Sequence, residues 1–138
     1  MVKPEVIENR IKKLQNYLEK LFELKTTNKN EFISDFRNSN SAKYLLQVSI
    51  ECCLDIANHI NASEKFRSPD DYADSFRVLN EQKIVSDSLI DRLIEMAKFR
   101  NRIVHVYWEV DEDLIYDIIQ NYLNDFELFI QSILKVLE

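Results

Sequence analysis

Apolar positions recur at helical spacing along most of the chain. Ile7, Ile11, Leu14, Leu18, Leu21 and Phe22 fall three or four residues apart, with Glu8, Lys12, Lys13, Gln15 and Glu19 between them. Pro4 suits the first turn, where a missing N–H costs nothing. The pattern predicts a helix from Pro4 to about Lys25. Thr26–Asn28 reads as a loop with a cap, and Asn28–Phe36 as a short helical piece carrying Phe32, Ile33 and Phe36. Asn38–Ser41 reads as a break before a central helix over Ala42–Ile60, where small and large residues mix. Glu51, Asp55 and His59 lie four apart along one side of it. Asn61–Asp70 reads as a loop, Asp70 and Asp71 as the start of a helix through Leu79, and Ser86 as the cap of the next helix, ending near Val104. A last helix is predicted from about Asp111–Asp113 almost to the end. Its apolar set, from Leu114 to Leu137, is wider than one core-facing stripe needs. Either a second copy of the chain or a neighbouring helix covers the extra face, and the width favours the second copy.

These elements imply an all-α fold, a small antiparallel bundle of about five or six helices in one domain spanning residues 1–138. Composition agrees. Glycine is absent from the 138 residues and proline occurs twice, which leaves little to build hairpin turns. An apolar fraction of 46% with 30% charged residues is globular. The net charge of -6 argues against a broad phosphate-binding surface but not against a local basic site. Cys52 and Cys53 are adjacent, have no third cysteine to pair with, and read as packing residues. Neither their spacing nor the two histidines offer a zinc site. No apolar signal segment opens the chain and no apolar run is long enough to span a bilayer, so the expected setting is cytoplasmic, with no membrane partner.

One stretch stands apart. Lys98–Asp113 crowds Lys98, Arg100 and Arg102 against His105, Tyr107 and Trp108 before the charge turns negative at Glu109. Cleaving an RNA phosphodiester without a metal requires a base for the 2′-hydroxyl proton and a cation for the charge developing on phosphate. Histidine titrates near neutrality and the arginine fork matches phosphate oxygens. On a regular helix, however, Arg100 and His105 stand well over a right angle apart, at ~100° per residue. Either the helix ends between them or two chains bring such residues together. The blander readings are a packed His105, a solvated Arg102, a packing Trp108, a core or surface His59, and an Asp55 that simply pairs with an arginine.

Arg100-Asn101, three further residues, then His105-Val106-Tyr107 resembles the Arg-Asn…His-x-Tyr signature of HepT-like toxins, members of the HEPN superfamily of helical domains. Ser49–Ile60, Tyr72–Phe76 and Tyr107–Asp111 are similar to further family segments in the expected order. The resemblance implies a metal-independent ribonuclease that dimerises with Arg and His of both chains in a shared cleft. It also implies a partner, a minimal nucleotidyltransferase (MNT) antitoxin that uses ATP, a cofactor this chain does not itself need, to transfer AMP onto the tyrosine. Carried over, Arg100 and His105 are catalytic, Asn101 supports the site, and Tyr107 is the AMPylation target; Asp55, from its place on the central helix, is read as a further supporting group. Val106 departs from the glycine often found there, so the path from His105 to Tyr107 is expected to differ slightly, with the motif residues themselves intact. A second function class stands beside the first: a non-catalytic nucleotide- or partner-binding subunit of a two-component nucleotidyltransferase.

Overall fold

In the computed structural model, which describes residues 2–138, the longest helix supplies the frame. Seven α-helices are present among the described residues, and no strand: α1 (Pro4–Lys25), α2 (Lys29–Ser34), α3 (Phe36–Ser63), α4 (Tyr72–Glu81), α5 (Asp87–His105), α6 (Glu112–Asn121) and α7 (Asn124–Val136). A 3-10 turn at Tyr107–Glu109 joins α5 to α6. The all-α bundle expected from the sequence is therefore present, with more helices than the five or six predicted. None of them is long and apolar enough to cross a membrane.

Helix α3 packs against α1, α2, α4, α5 and α6. Its buried residues, including Leu46, Ile50, Cys53, Ile56, Ala57 and Ile60, recur along one broad face. Cys52 and Cys53 are free and buried, as packing residues should be. Phe76 of α4 meets Phe129 of α7 edge-on at 5.7 Å, and Phe32 of α2 meets Tyr116 of α6 at 5.4 Å, so the short helices are tied to the bundle by aromatic pairs.

Acidic and amide caps set most helix starts. Asn28 accepts from the Glu31 N–H at 2.9 Å, Asp71 from Asp74 at 2.8 Å and Asp111 from Leu114 at 2.8 Å. Ser86 stands at the start of α5 as predicted, but its hydroxyl pairs with Ser88 instead of capping. Without glycine, the chain closes α3 and α4 with lysines in the left-handed region, Lys65 at φ 57° and Lys83 at φ 61°. In each case the next residue's N–H reaches back across the last turn, Phe66 to Asn61 and Ile84 to Leu79.

Two predicted boundaries are corrected. Asn38–Ser41 is not a break but lies in the first two turns of α3, whose cap is Asp35, accepting from the Arg37 N–H at 3.0 Å. The polar side chains there find partners while the backbone stays helical: Ser39 Oγ donates to the Phe36 carbonyl within α3, and Asn38 Nδ2 to the Glu31 carbonyl of α2. The single last helix is two, parted at Tyr122–Leu123. The Asn121 amide takes both the carbonyl and the carboxylate of Asp117, and Asp125 is drawn to Arg92 of α5 at 2.8 Å. The break turns the two halves so that Ile115 and Ile119 on α6, and Phe126, Phe129, Ile130 and Ile133 on α7, all enter one core. A neighbouring helix thus covers part of the wide face, while Tyr122, Leu128 and Leu134 stay exposed.

The loop before α4 is pinned by Arg67, which donates to Asp74 at 2.7 and 2.9 Å and to Glu81 at 2.8 Å. Asp74 also accepts the Asp70 N–H at 2.9 Å. The Arg67 guanidinium, then that N–H, hold the Asp74 carboxyl far below the usual carboxylate range. A depressed folded-state pKa stabilises the fold above the unfolded value and loses that stabilisation as pH falls toward the folded one. Asp74→Asn is expected to lower the Tm at pH 7 by roughly 3–6 °C, allowing for screening of the half-exposed arginine. The gap to wild type should narrow below about pH 4, and thermal melts across that range check it.

Candidate active site at the end of α5

Helix α5 continues without interruption through His105, and its cap Val106 has φ −134° and ψ 47°. Of the two arrangements left open by the sequence, a helix that ends between Arg100 and His105 is excluded. The negative φ at Val106 is open to any residue, so no glycine is needed there and the Cβ does not divert the chain.

Arg100 faces inward across the bundle. Its Nε and Nη2 donate to Glu51 Oε2 of α3 at 3.1 and 2.8 Å, and its Nη1 donates to Asn101 Oδ1 at 3.3 Å. The guanidinium carbon lies 4.9 Å from the centre of the Tyr72 ring at the start of α4. Only 16% of the side chain is exposed. Three of the five guanidinium donors are thus used, which leaves two for a phosphate. The cleft beside it, about 240 Å³, is lined by Glu51, Leu54, Asp55, Asn58, Tyr72 and Arg100. Asp55 is exposed in the cleft wall, but the carboxylate that holds Arg100 is Glu51, which sequence reasoning placed on the right side of α3 without a partner. Asn101 does touch Arg100 through its amide oxygen.

His105 lies on another side of α5 and is exposed, as are Val104 and Arg102. His59, on α3, is half-buried with its Nε2 3.4 Å from Ser63 Oγ. Tyr107, in the 3-10 turn, is 41% exposed, and its hydroxyl donates to Asn40 Oδ1 at 2.8 Å. The Lys43 ammonium sits 4.2 Å from the centre of the same ring. Trp108 is 77% exposed, so it anchors no helix junction. Glu109 is exposed with it, and the acidic run beyond starts α6 through Asp111, while Asp113 pairs with Lys29 at 3.2 Å.

The structure therefore brings Arg100 and Asp55 to one cleft, with Asn101 bonded to Arg100, and sets His105 at the exposed end of α5 with Tyr107 and Trp108 in the turn that follows. Sequence reasoning missed Glu51 as the Arg100 partner, Tyr72 as its stacking surface, and Asn40 and Lys43 as neighbours of Tyr107. The four-residue spacing of Glu51, Asp55 and His59 was the one signal available for the first.

A family model described as Ribonuclease HepT-like matches residues 7–133, nearly the whole chain. The chain belongs to the HepT-like ribonuclease family. It is 38% identical over 103 residues to the mRNA nuclease HepT of Shewanella oneidensis, spanning 75% of this chain and 77% of that one. It is 25% identical over 134 residues to the tRNA nuclease HepT of Aphanizomenon flos-aquae, spanning 96% and 90% respectively. The solved structure of the tri-AMPylated Shewanella oneidensis HEPN toxin in complex with MNT antitoxin superposes with a TM-score of 0.87 at 32% identity, over 94% of this chain and 97% of that one.

Proposed function

We propose that this HepT-like protein is a metal-independent ribonuclease toxin that acts as a homodimer in the cytoplasm and is silenced when an MNT-type nucleotidyltransferase transfers AMP from ATP to Tyr107. The observation that carries the reading is the division of labour along α5: a guanidinium fixed in a cleft at Arg100, and a free, exposed imidazole at His105 on another side of the same helix. One chain turns these groups apart, so a second chain supplies the complementary group to each cleft. Relatives named as mRNA and tRNA nucleases support an RNA substrate.

In the reaction, His105 takes the proton of an RNA 2′-hydroxyl. The 2′-oxygen bonds to the adjacent phosphorus as the bond to the 5′-oxygen breaks, and that oxygen leaves with a proton from an imidazolium or water. The free donors of Arg100 hold the charge that builds on the phosphate oxygens, while Glu51, Asn101 and Tyr72 keep the fork in place. Asp55 lines the approach as a supporting group. AMP on Tyr107 adds a negative charge and a base two residues from His105, which obstructs RNA sterically and by repulsion.

The test is cleavage of tRNA and mRNA by unmodified protein in EDTA, with intact mass verified first. Wild type should cut, and His105→Ala should lose roughly 10²–10⁴-fold in rate, the usual contribution of a general base. One feature favours the second reading, a non-catalytic nucleotide- or partner-binding subunit: Glu51 already neutralises Arg100, with Asp55 beside it. No cleavage by unmodified dimer would move the assignment there.

A further inference from the structure

Tyr107 does not hang free in solvent. Asn40 and Lys43, three residues apart on one side of α3, meet it from below: the Asn40 amide oxygen accepts its hydroxyl hydrogen, and the Lys43 ammonium lies over its ring. Lys43 is more than nine-tenths buried, at 7% exposure. Lysines buried to that degree are normally paired with a carboxylate. Among the described residues no carboxylate bridges Lys43, although the chain carries 24 acidic residues. The ring face of Tyr107 is what balances its charge. A desolvated cation kept beside a phenol, with no anion assigned to it, suits an anion that arrives on that phenol.

We propose that Asn40 and Lys43 form the seat for the phosphate that AMP transfer places on Tyr107. The inference rests on the reading of Tyr107 as the AMP acceptor and adds the residues that recognise the product. In the transfer, the phenol oxygen bonds to the α-phosphorus of ATP, the bond from that phosphorus to the pyrophosphate oxygen breaks, pyrophosphate leaves, and the phenol proton is released to solvent. The esterified oxygen can then no longer donate to Asn40. Turning the Asn40 amide over presents its Nδ2 hydrogens to a phosphate oxygen instead, since the group carries an acceptor and two donors on one head. Lys43 exchanges a ring contact for a charge-assisted hydrogen bond to the same phosphate. The unmodified and modified tyrosine thus use the same two residues in different roles. The adduct is held against α3, close to His105, instead of swinging in solvent.

Three variants of the full chain test this: Lys43→Met, which keeps the length and removes the charge, Lys43→Arg, which keeps the charge, and Asn40→Ala at an exposed position that should leave the fold intact. Each unmodified protein is incubated with ATP and the cognate MNT-type nucleotidyltransferase. AMP incorporation is followed by intact mass, and removal of AMP from modified protein by a phosphodiesterase is timed. Lys43→Met is expected to slow incorporation or speed removal by roughly 10- to 100-fold, the weight of one charge-assisted hydrogen bond. Lys43→Arg should restore most of the effect, which a merely structural role would not predict. Asn40→Ala should move both rates in the same direction by less, and it carries the test if the Lys43→Met melt shows misfolding. Wild-type rates in Lys43→Met and Asn40→Ala overturn the seat while leaving Tyr107 as acceptor. Normal incorporation with lost RNA cleavage overturns it in favour of an RNA phosphate on the same pair. If wild type takes no AMP at all, the acceptor reading fails and the seat falls with it.

Discussion

Arg100→Ala is expected to slow RNA cleavage roughly 10²–10³-fold, the usual loss when one preorganised charge donor is removed from a transition state. The effect should fall on kcat more than on KM, because the two free guanidinium donors meet charge that develops only as the phosphorus is attacked. Arg100→Lys should not rescue. An ammonium has three donors on a point, whereas the fork at this position serves Glu51, Asn101 and the Tyr72 ring at once. A melt of each variant separates lost chemistry from lost fold, since either change leaves Glu51 without its planar partner. Mixing the Arg100→Ala and His105→Ala proteins then tests how the cleft is assembled. If each site takes its arginine from one chain and its histidine from the other, the mixed dimer contains one intact site and cleavage returns. Failure to recover activity in mixed dimers would show that both groups act from the same chain, and would refute the shared cleft.

The helices were legible because their apolar residues keep a 3.6-residue period, which depends on local sequence alone. What the period cannot report is an interruption made by side chains. Asn121 and Asp125 part α6 from α7 with no glycine or proline between them, through contacts to Asp117 and to Arg92 on another helix. The opposite error at Asn38–Ser41 had the larger consequence. Four small polar residues look like a loop, yet Asp35 caps the helix ahead of them and Ser39 and Asn38 bond within it and to α2. Treating that stretch as a break hid Asn40, and although Lys43 fell inside the predicted helix, both lie more than sixty residues from Tyr107 in sequence and only the packing of α3 beside the 3-10 turn brings them to it. Glu51 was hidden in a similar way. Its spacing to Asp55 and His59 placed all three on one side of α3, but only the packing of α5 across α3 decides which carboxylate meets Arg100. The signature residues, by contrast, were legible as chemistry: a guanidinium, an imidazole and a phenol within eight residues are unusual enough to mark a candidate site before any fold is known.

Tyr107→Phe should abolish AMP incorporation by the MNT-type transferase and ATP, because the ring stays and only the oxygen that bonds to phosphorus is lost. Intact mass before and after incubation checks this directly. Two consequences follow from the geometry. The lost hydrogen bond to Asn40 is half-exposed, so the cost to stability should be about 1 kcal/mol or less, and the melt should barely move. The functional effect should be large by comparison. RNA cleavage by the Y107F protein should no longer respond to ATP and the transferase, whereas wild-type cleavage falls as the AMP adduct accumulates. Expressed in cells with the transferase, the variant should therefore remain toxic where wild type is tolerated. AMP found on the Tyr107→Phe protein would show that another hydroxyl is the acceptor, with Tyr44, Tyr72 and Tyr122 the exposed phenols to examine next. Unmodified variant that the transferase still silences would show that silencing works by binding instead of by modification. The neutralised Arg100 and the acidic cleft wall would then weigh toward a partner-binding role for the end of α5.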